Sequence, residues 1–317
     1  MPQPQTEDVL QRRGLKLAHL RLIAALADTG QIGLAAARLG TTQPAASRLL
    51  AELEQILGHA VHQRSGRGIA LTPAGEALAR RARKVQIELA ETAREIEELA
   101  QGGTGHVRIG AVTAPALEIV LPALRTARLS HPALTAEVTV APSDTLCRQL
   151  LAGDLDFVLG RLPTGADRRL LDIRLIRDEP VSLIVRRGHR LLSGAPVRPR
   201  DLLAFDWVLP GADSPLAAAV RARLADLGLP DPPQRLSTAS FLLTLALVQQ
   251  TNAIAPLAQA VADQFAGTPD APYGVVPLDL GVVVPAYGLV TRAGSELTPA
   301  AALLARLMMD RTRAQDR

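Results

Sequence analysis

Apolar residues recur along the first hundred positions at spacings of three and four. Leu17, Leu20 and Ile23, with Ala24 and Ala27, form one such run, and Gly30 stops it. That spacing lines one face of an α-helix. A shorter helix is predicted over residues 32–39, ending at Gly40. Thr42 then caps a third helix through about Leu57, where Leu49, Leu50, Leu53 and Leu57 recur before Gly58. Residues 61–71 read as two short strands around Ser65-Gly66-Arg67-Gly68, a hairpin-like wing. Thr72-Pro73 opens a fourth helix, with Thr72 at the N-cap and Pro73 at the first helical position.

That fourth helix runs to about Leu99 and carries a heptad. Leu78, Ala82, Val85, Leu89, Thr92, Ile96 and Leu99 alternate by four and three. A 3.5-residue period suits a helix paired with another copy of itself; the other reading is one amphipathic helix lying on its own domain. The first is favoured, because no nearby stretch is apolar enough to cover the stripe. Gly102-Gly103-Thr104-Gly105 breaks the pattern and marks a boundary.

Beyond it the period changes. Residues 107–112, 134–140 and 157–160 read as strands, separated by a Pro-started helix at 115–129 and a helix at 144–152. Strands alternating with helices predict a parallel α/β sheet. Residues 181–185 and 282–290 are further strands, crossovers between two lobes; segment 207–209 and helices at 215–227 and 240–250 build the second lobe.

Charge sharpens this division. Residues 1–87 hold 12 Lys+Arg against 6 Asp+Glu, residues 88–101 hold one Arg against five Glu, and the rest carry 22 against 20. A basic head ahead of a nearly neutral body implies that only the head meets a polyanion. None of the seven aromatic residues precedes Phe157, which excludes a head that stacks bases on Phe or Tyr. Of the 35 basic residues only Lys16 and Lys84 are Lys, a skew given no functional weight. A single Cys excludes a disulfide framework and a Cys-rich zinc site. The polar start and the lack of an 18-residue apolar stretch lead to the expectation of a cytoplasmic protein that meets no membrane.

Residues 32–57 have the form of a helix-turn-helix. Ala35-Ala36 allow close crossing and Gly40 allows the turn. An N-terminal helix end with free N–H groups favours a phosphate, and Thr42 adds a hydroxyl there. Gln43 suits adenine bidentately, Arg48 suits guanine, and Ser47 serves base or phosphate. Pro44 lies in the same turn, and small Ala45 and Ala46 let the helix sit deep against thymine methyls. Arg64 and Arg67 on the wing are placed for minor groove or backbone. Arg80, Arg81, Arg83 and Lys84 follow on the long helix, Arg81 and Arg83 read as a solvated face.

Residues 15–101 resemble the N-terminal domain of LysR-type transcriptional regulators. The resemblance rests on Ala35-Ala36, Leu39, Gln43-Pro44-Ala45, Ser47-Arg48, Leu53-Glu54, Leu57-Gly58, Arg64 and Leu71-Thr72-Pro73-Ala74-Gly75. It implies a winged helix-turn-helix (15–72, mainly α), a dimerising linker helix (73–101) and an α/β two-lobed effector domain of the periplasmic-binding-protein type (105–317). Lobe I is expected over about 105–175 and 288–313, lobe II over about 176–287. It further implies double-stranded promoter or operator DNA and a small-molecule effector as partners, a homodimer or homotetramer, and RNA polymerase as a further candidate partner. Two departures, Val61-His62-Gln63 where Leu-Phe is common and Gln31-Ile32 where Ser-Phe is frequent, lose aromatic core filler and bear on packing.

In such sheets ligands bind beyond the carboxyl ends of strands. Thr113 and Ala114 lie before Pro115; Ser143 is expected to cap the next helix; Arg161 follows the third strand and suits a carboxylate. Ser214, Ser240 and Phe241 lie at helix starts of the second lobe. The other reading of each Ser or Thr is a cap serving its own helix. The body resembles more narrowly the regulators of protocatechuate catabolism and of the galactose-binding protein, through Asp154-Leu155-Asp156, Gly160-Arg161-Leu162 and Thr251-Asn252-Ala253-Ile254-Ala255, which points to an organic acid or sugar effector.

Three rival readings stand beside this one. An enzyme lacks support: there is no Gly-x-Ser-x-Gly elbow, phosphate loop, HExxH or metal-spaced cluster, so no catalytic, metal or cofactor set is expected. His59 and His62 alone share ligand spacing, and they are expected at the surface without carboxylates. A solute-binding protein shares the expected body, but the basic head and the missing signal peptide count against it. A redox sensor through Cys147 lacks a resolving Cys, so a small core residue is the favoured role.

Overall fold

A computed structural model describes residues 9–66, 68–100, 105–234, 236–268 and 270–315. The chain divides into two units, Met1–Glu97 and Glu98–Arg317.

In the first unit a single helical turn, α1 (Val9–Arg12), precedes α2 (Leu17–Thr29), α3 (Ile32–Arg38) and α4 (Gln43–Leu57). The apolar positions converge as their spacing demands. Leu22, Ile23 and Leu26 of α2, Ala35 and Ala36 of α3, and Leu50 and Leu53 of α4 share one core. Ala46 belongs to that core too and is fully buried, so the expected thymine contact of its methyl does not hold. Strands β1 (His62–Ser65) and β2 (Gly68–Leu71) pair antiparallel, with His62 opposite Leu71. Arg67 lies outside the described residues.

Helix α5 (Pro73–Ala100) starts where Thr72 Oγ1 accepts the Gly75 N–H (3.1 Å). A side chain at position 75 would collide with the Val61 carbonyl, so only glycine lets the helix cross the wing this closely. The heptad divides along α5. Ala82 is buried in the core and Leu78 packs against it, whereas Val85, Leu89, Ile96 and Leu99 are 41–68 % exposed.

In the second unit β3 (His106–Ala111) leads to α6 (Thr113–Pro115), a π-turn at Ala116–Val120, and α7 (Leu121–Ser130). One helix was expected here. Pro122 has no N–H to give the carbonyl four residues back, and the ladder widens, with the Leu121 N–H donating to Ala116 O. There follow β4 (Thr135–Val140), α8 (Ser143–Ala152), β5 (Phe157–Gly160) and the long β6 (Leu171–Arg186). Next come β7 (Val208–Leu209), α9 (Pro215–Asp226), β8 (Leu236–Ser237), α10 (Phe241–Gln250), β9 (Ala255–Ala258), α11 (Gln259–Ala266) and β10 (Tyr273–Val275). The chain closes with β11 (Val283–Arg292) and α12 (Pro299–Gln315).

The main sheet runs β10-β6-β11-β5-β3-β4, with β9 also on β6. Within it β5-β3-β4 is parallel. The expectation of a parallel sheet fails at β11, which returns from the second lobe and so pairs antiparallel with both β5 and β6. β6 serves both lobes: its first half pairs β11, and its second half pairs β9 and β10. One apolar core gathers Ile109, Phe157, Tyr287 and Met308 in the first lobe; another gathers Leu183, Trp207, Val220 and Ile254 in the second. The fold is thus a winged helix-turn-helix followed by a two-lobed α/β body.

Candidate nucleic-acid interface and effector cleft

At the head, the first turn of α4 is laid open. Thr42 sits at the N-cap in extended conformation and its hydroxyl accepts the Ala45 N–H (3.4 Å). Gln43, Pro44, Ser47 and Arg48 are exposed and Ala45 half-buried. The start of the helix therefore presents a carboxamide, a hydroxyl and a guanidinium beside the positive end of the helix dipole, a set able to read base edges and hold a phosphate. Arg64 is exposed on β1.

The support of this edge is electrostatic as well as apolar. Asp28, in the last turn of α2, takes Arg38 of α3 (2.7 Å) and Arg83 of α5. Arg83, read as a solvated cation, is therefore a brace. His19 is fully buried; its Nδ1 accepts the Lys16 N–H (3.0 Å), which leaves its hydrogen on Nε2, 3.5 Å from Glu52 of α4. His19 and then Lys16 draw the Glu52 carboxyl below its ordinary range. His62, expected without a carboxylate, lies 2.9 Å from Glu54.

In the body, three candidates meet at the carboxyl ends of β3 and β5. Ser143 does not cap α8. Its Oγ instead accepts the Arg161 N–H (3.0 Å), because Gly160 brings β5 close enough to claim it. The Val112 N–H donates to Leu159 O (3.0 Å), setting Thr113, half-buried, beside them. The Arg161 guanidinium donates to Pro285 O (2.6 Å) and pairs with Glu179 (3.3 Å), so its carboxylate partner is already supplied by β6. Next to it, Glu118 of the π-turn accepts from Arg177 (2.8 Å) and from the Tyr287 hydroxyl (3.1 Å). Burial lifts the Glu179 carboxyl above its ordinary value, against the pull of Arg161. Burial, with Glu118 adding to it, pushes the Tyr287 phenol up as well. These five side chains stand where β6 and β11 pass between lobes, and the β6–β11 register is irregular on either side of Tyr287.

Comparison with known proteins decides the family. Residues 17–76 match the model of the bacterial regulatory helix-turn-helix protein, lysR family, and residues 100–313 match the LysR substrate binding domain. The chain belongs to the LysR family of transcriptional regulators.

Among LysR-type relatives, the HTH-type transcriptional regulator GbpR of Rhizobium radiobacter is 44 % identical over 257 residues, 79 % of this chain and 84 % of that one. The HTH-type transcriptional regulator PcaQ of Agrobacterium fabrum is 27 % identical over 282 residues, 89 % of this chain and 90 % of that one. Both fall in the subgroup that the body resembles. The LysR-type protein CbnR, solved full-length with its target DNA, superposes with a TM-score of 0.61 at 23 % identity, covering 94 % of this chain and all of that one. It shares the fold. A LysR-type regulator binds DNA through its head and answers to a small molecule in its body.

Within this LysR-type chain the remaining candidates separate. Ala114 is buried in an apolar cluster with Leu245 and Ala258, and Phe241 packs against that cluster with its ring 5.3 Å from Phe265. Ser240 caps α10, accepting the Leu243 N–H (3.3 Å), so its hydroxyl serves its own helix. Ser214 stands at the N-cap of α9 with no side-chain cap bond. Asp156 of the Asp154-Leu155-Asp156 motif is an anchor: it accepts the Arg108 backbone N–H and guanidinium, both at 2.8 Å. Cys147 is buried, 3.5 Å from Arg161 O, and burial pushes its thiol up to about 11. Sequence reasoning missed Glu118, Arg177, Glu179 and Tyr287. The one signal was a run of charges, Arg174 to Glu179, inside an otherwise apolar stretch.

Among the described residues no helix is long and apolar enough to cross a membrane, and no group of three His, Cys, Asp or Glu side chains could hold a metal ion.

Proposed function

We propose that the protein reads an operator through Thr42, Gln43, Pro44, Ala45, Ser47 and Arg48 at the start of α4, with Arg64 and Arg67 of the wing on backbone or minor groove. The observation that carries this is the open start of α4, where Gln43, Ser47 and Arg48 are exposed together beside the Thr42-capped helix N-terminus. The domain limits that go with the reading are 15–72 for the head, 73–101 for the linker and 105–317 for the body, with lobe II over about 176–287. The exposed stripe from Val85 to Leu99 supports a homodimer through α5, and a homotetramer would place two pairs of heads on DNA. RNA polymerase is a partner consistent with a regulator bound upstream of a promoter.

The effector is a small organic acid or sugar held between the lobes, at Thr113, Ser143 and Arg161, with Ser214 from the candidate set lining the cleft and Ala114, Ser240 and Phe241 shaping its wall through packing and a helix cap. A redox reading through Cys147 is not favoured, since a buried thiol of raised pKa presents little thiolate. The deciding experiment is selection of the operator from a randomised duplex pool by the full-length protein. Gln43→Ala and Arg48→Ala are expected each to relax one base pair, at about 1–3 kcal/mol; unchanged sequence preference overturns the assignment. A thermal-shift screen with catabolic acids and sugars tests the cleft, and a hit unaltered by Thr113→Val places the ligand elsewhere.

A further inference from the structure

We propose that Glu54 positions the wing on DNA: it is the tie between the reading helix and the strand that carries Arg64. This rests on the reading of Arg64 as a DNA contact. Glu54 lies on α4, beyond the exposed reading edge, and a single oxygen of its carboxylate takes two donors from consecutive residues of the chain entering the wing. The Val61 N–H lies 2.8 Å and His62 Nδ1 2.9 Å from Oε1. Hydrogen bonds to an ionised acceptor are stronger than neutral ones, and here both act on one stretch of backbone.

The opposite side of that stretch is held equally firmly. The Val61 carbonyl accepts the Thr72 N–H (3.0 Å), the Thr72 hydroxyl donates to Ala60 O (2.8 Å), and the glycine at 75 lets α5 close over Val61. Residues 60–62 are thus gripped between the reading helix and the start of the linker helix. β1 leaves that grip directly, and Arg64 follows His62 by two residues, hence on the same face of the strand. A two-stranded hairpin of four paired positions is marginal alone, so its direction is set at its base. β2 has its own tie, the Ile69 N–H to Gly30 O (2.8 Å). The tie of β1 to the reading helix is Glu54.

The sign of the expected effect separates positioning from charge. Glu54 is an anion in a basic head, so removing it by charge alone strengthens binding to a polyanion. Positioning predicts the reverse for Glu54→Ala. Glu54→Gln keeps an oxygen able to accept both N–H groups and is expected to retain wild-type placement.

The test is a salt titration of affinity with the full-length protein on the duplex it selects from a randomised pool. An arginine on the polyanion releases about one counterion, so Arg64→Ala lowers the salt slope by about one unit. Glu54→Ala is expected to lower affinity and slope to the Arg64→Ala level. Adding Glu54→Ala to Arg64→Ala is expected to cost nothing more, and Glu54→Gln to keep the slope and bind at least as tightly as wild type. His62→Ala leaves the Val61 bond in place and is expected to give part of the same loss, which keeps the test open if Glu54→Ala does not fold. Arg64→Ala with a lowered slope beside unchanged Glu54→Ala and His62→Ala overturns the tie alone, as do additive losses in the double variant. An unchanged slope in Arg64→Ala overturns the Arg64 reading and the tie with it.

Discussion

Cys147 shows how far one side chain can be judged from its neighbours in sequence. Its amphipathic setting predicts a core residue, and in the fold it is 1 % exposed, with burial and then Asp144 raising its thiol to about 11. At pH 7 that leaves a thiolate fraction on the order of a hundredfold below that of a free cysteine. Alkylation of the native protein is therefore expected to be slower than that of the unfolded chain by about this factor, and comparable rates would show a thiol open to redox chemistry. The exposed helix start from Thr42 to Arg48, where the reading of DNA is proposed, was legible for the same reason: a helix N-terminus is a local structure, set within one turn. Arg161 was legible only by half. Its position after a strand marked it, but its partner Glu179 lies 18 residues on and Pro285 lies 124 residues on, separations that no local pattern encodes.

Elements whose apolar period matches their burial were foreseen, and those governed by pairing were not. α4 ends at Leu57 as expected, and β5 spans Phe157–Gly160 as expected. The first half of β6 escaped, because Arg174, Arg177, Asp178, Glu179 and Pro180 break any alternation; it is a strand because β11 pairs with it. α5 shows both readings of one heptad, its first members in the core of the head and its later ones open to solvent. A stripe of that kind on a helix is stable in water when a second copy covers it. Leu89→Arg with Ile96→Arg is expected to leave each head folded while shifting sedimentation toward the monomer. Sedimentation unchanged from wild type would place the self-association elsewhere.

At the scale of the whole body, the lobes are joined by two strands, and the charges set between those strands decide what joining costs. Arg161 and Glu179 are 15 % and 13 % exposed, so each depends on the other for solvation that water no longer gives. Arg161→Ala leaves Glu179 buried beside Glu118, whose negative charge raises its pKa further. Loss of one partner from such a pair costs about 3 kcal/mol at neutral pH. The sign of its pH dependence follows from the direction of the shift. The native state of the variant holds the Glu179 proton more tightly than the unfolded chain, whose carboxyl titrates near 4.5. The penalty is therefore complete above the raised native pKa, shrinks as pH falls through the interval below it, and vanishes once both states are protonated under 4.5. Denaturant unfolding of wild type and Arg161→Ala at pH 7.5 and near pH 4.5 measures the difference, which is expected to narrow at the lower pH. A constant difference would mean that Arg161 acts through its bond to Pro285 and not through the carboxylate, and the coupling of the lobes would then rest on the backbone of β11 rather than on charge.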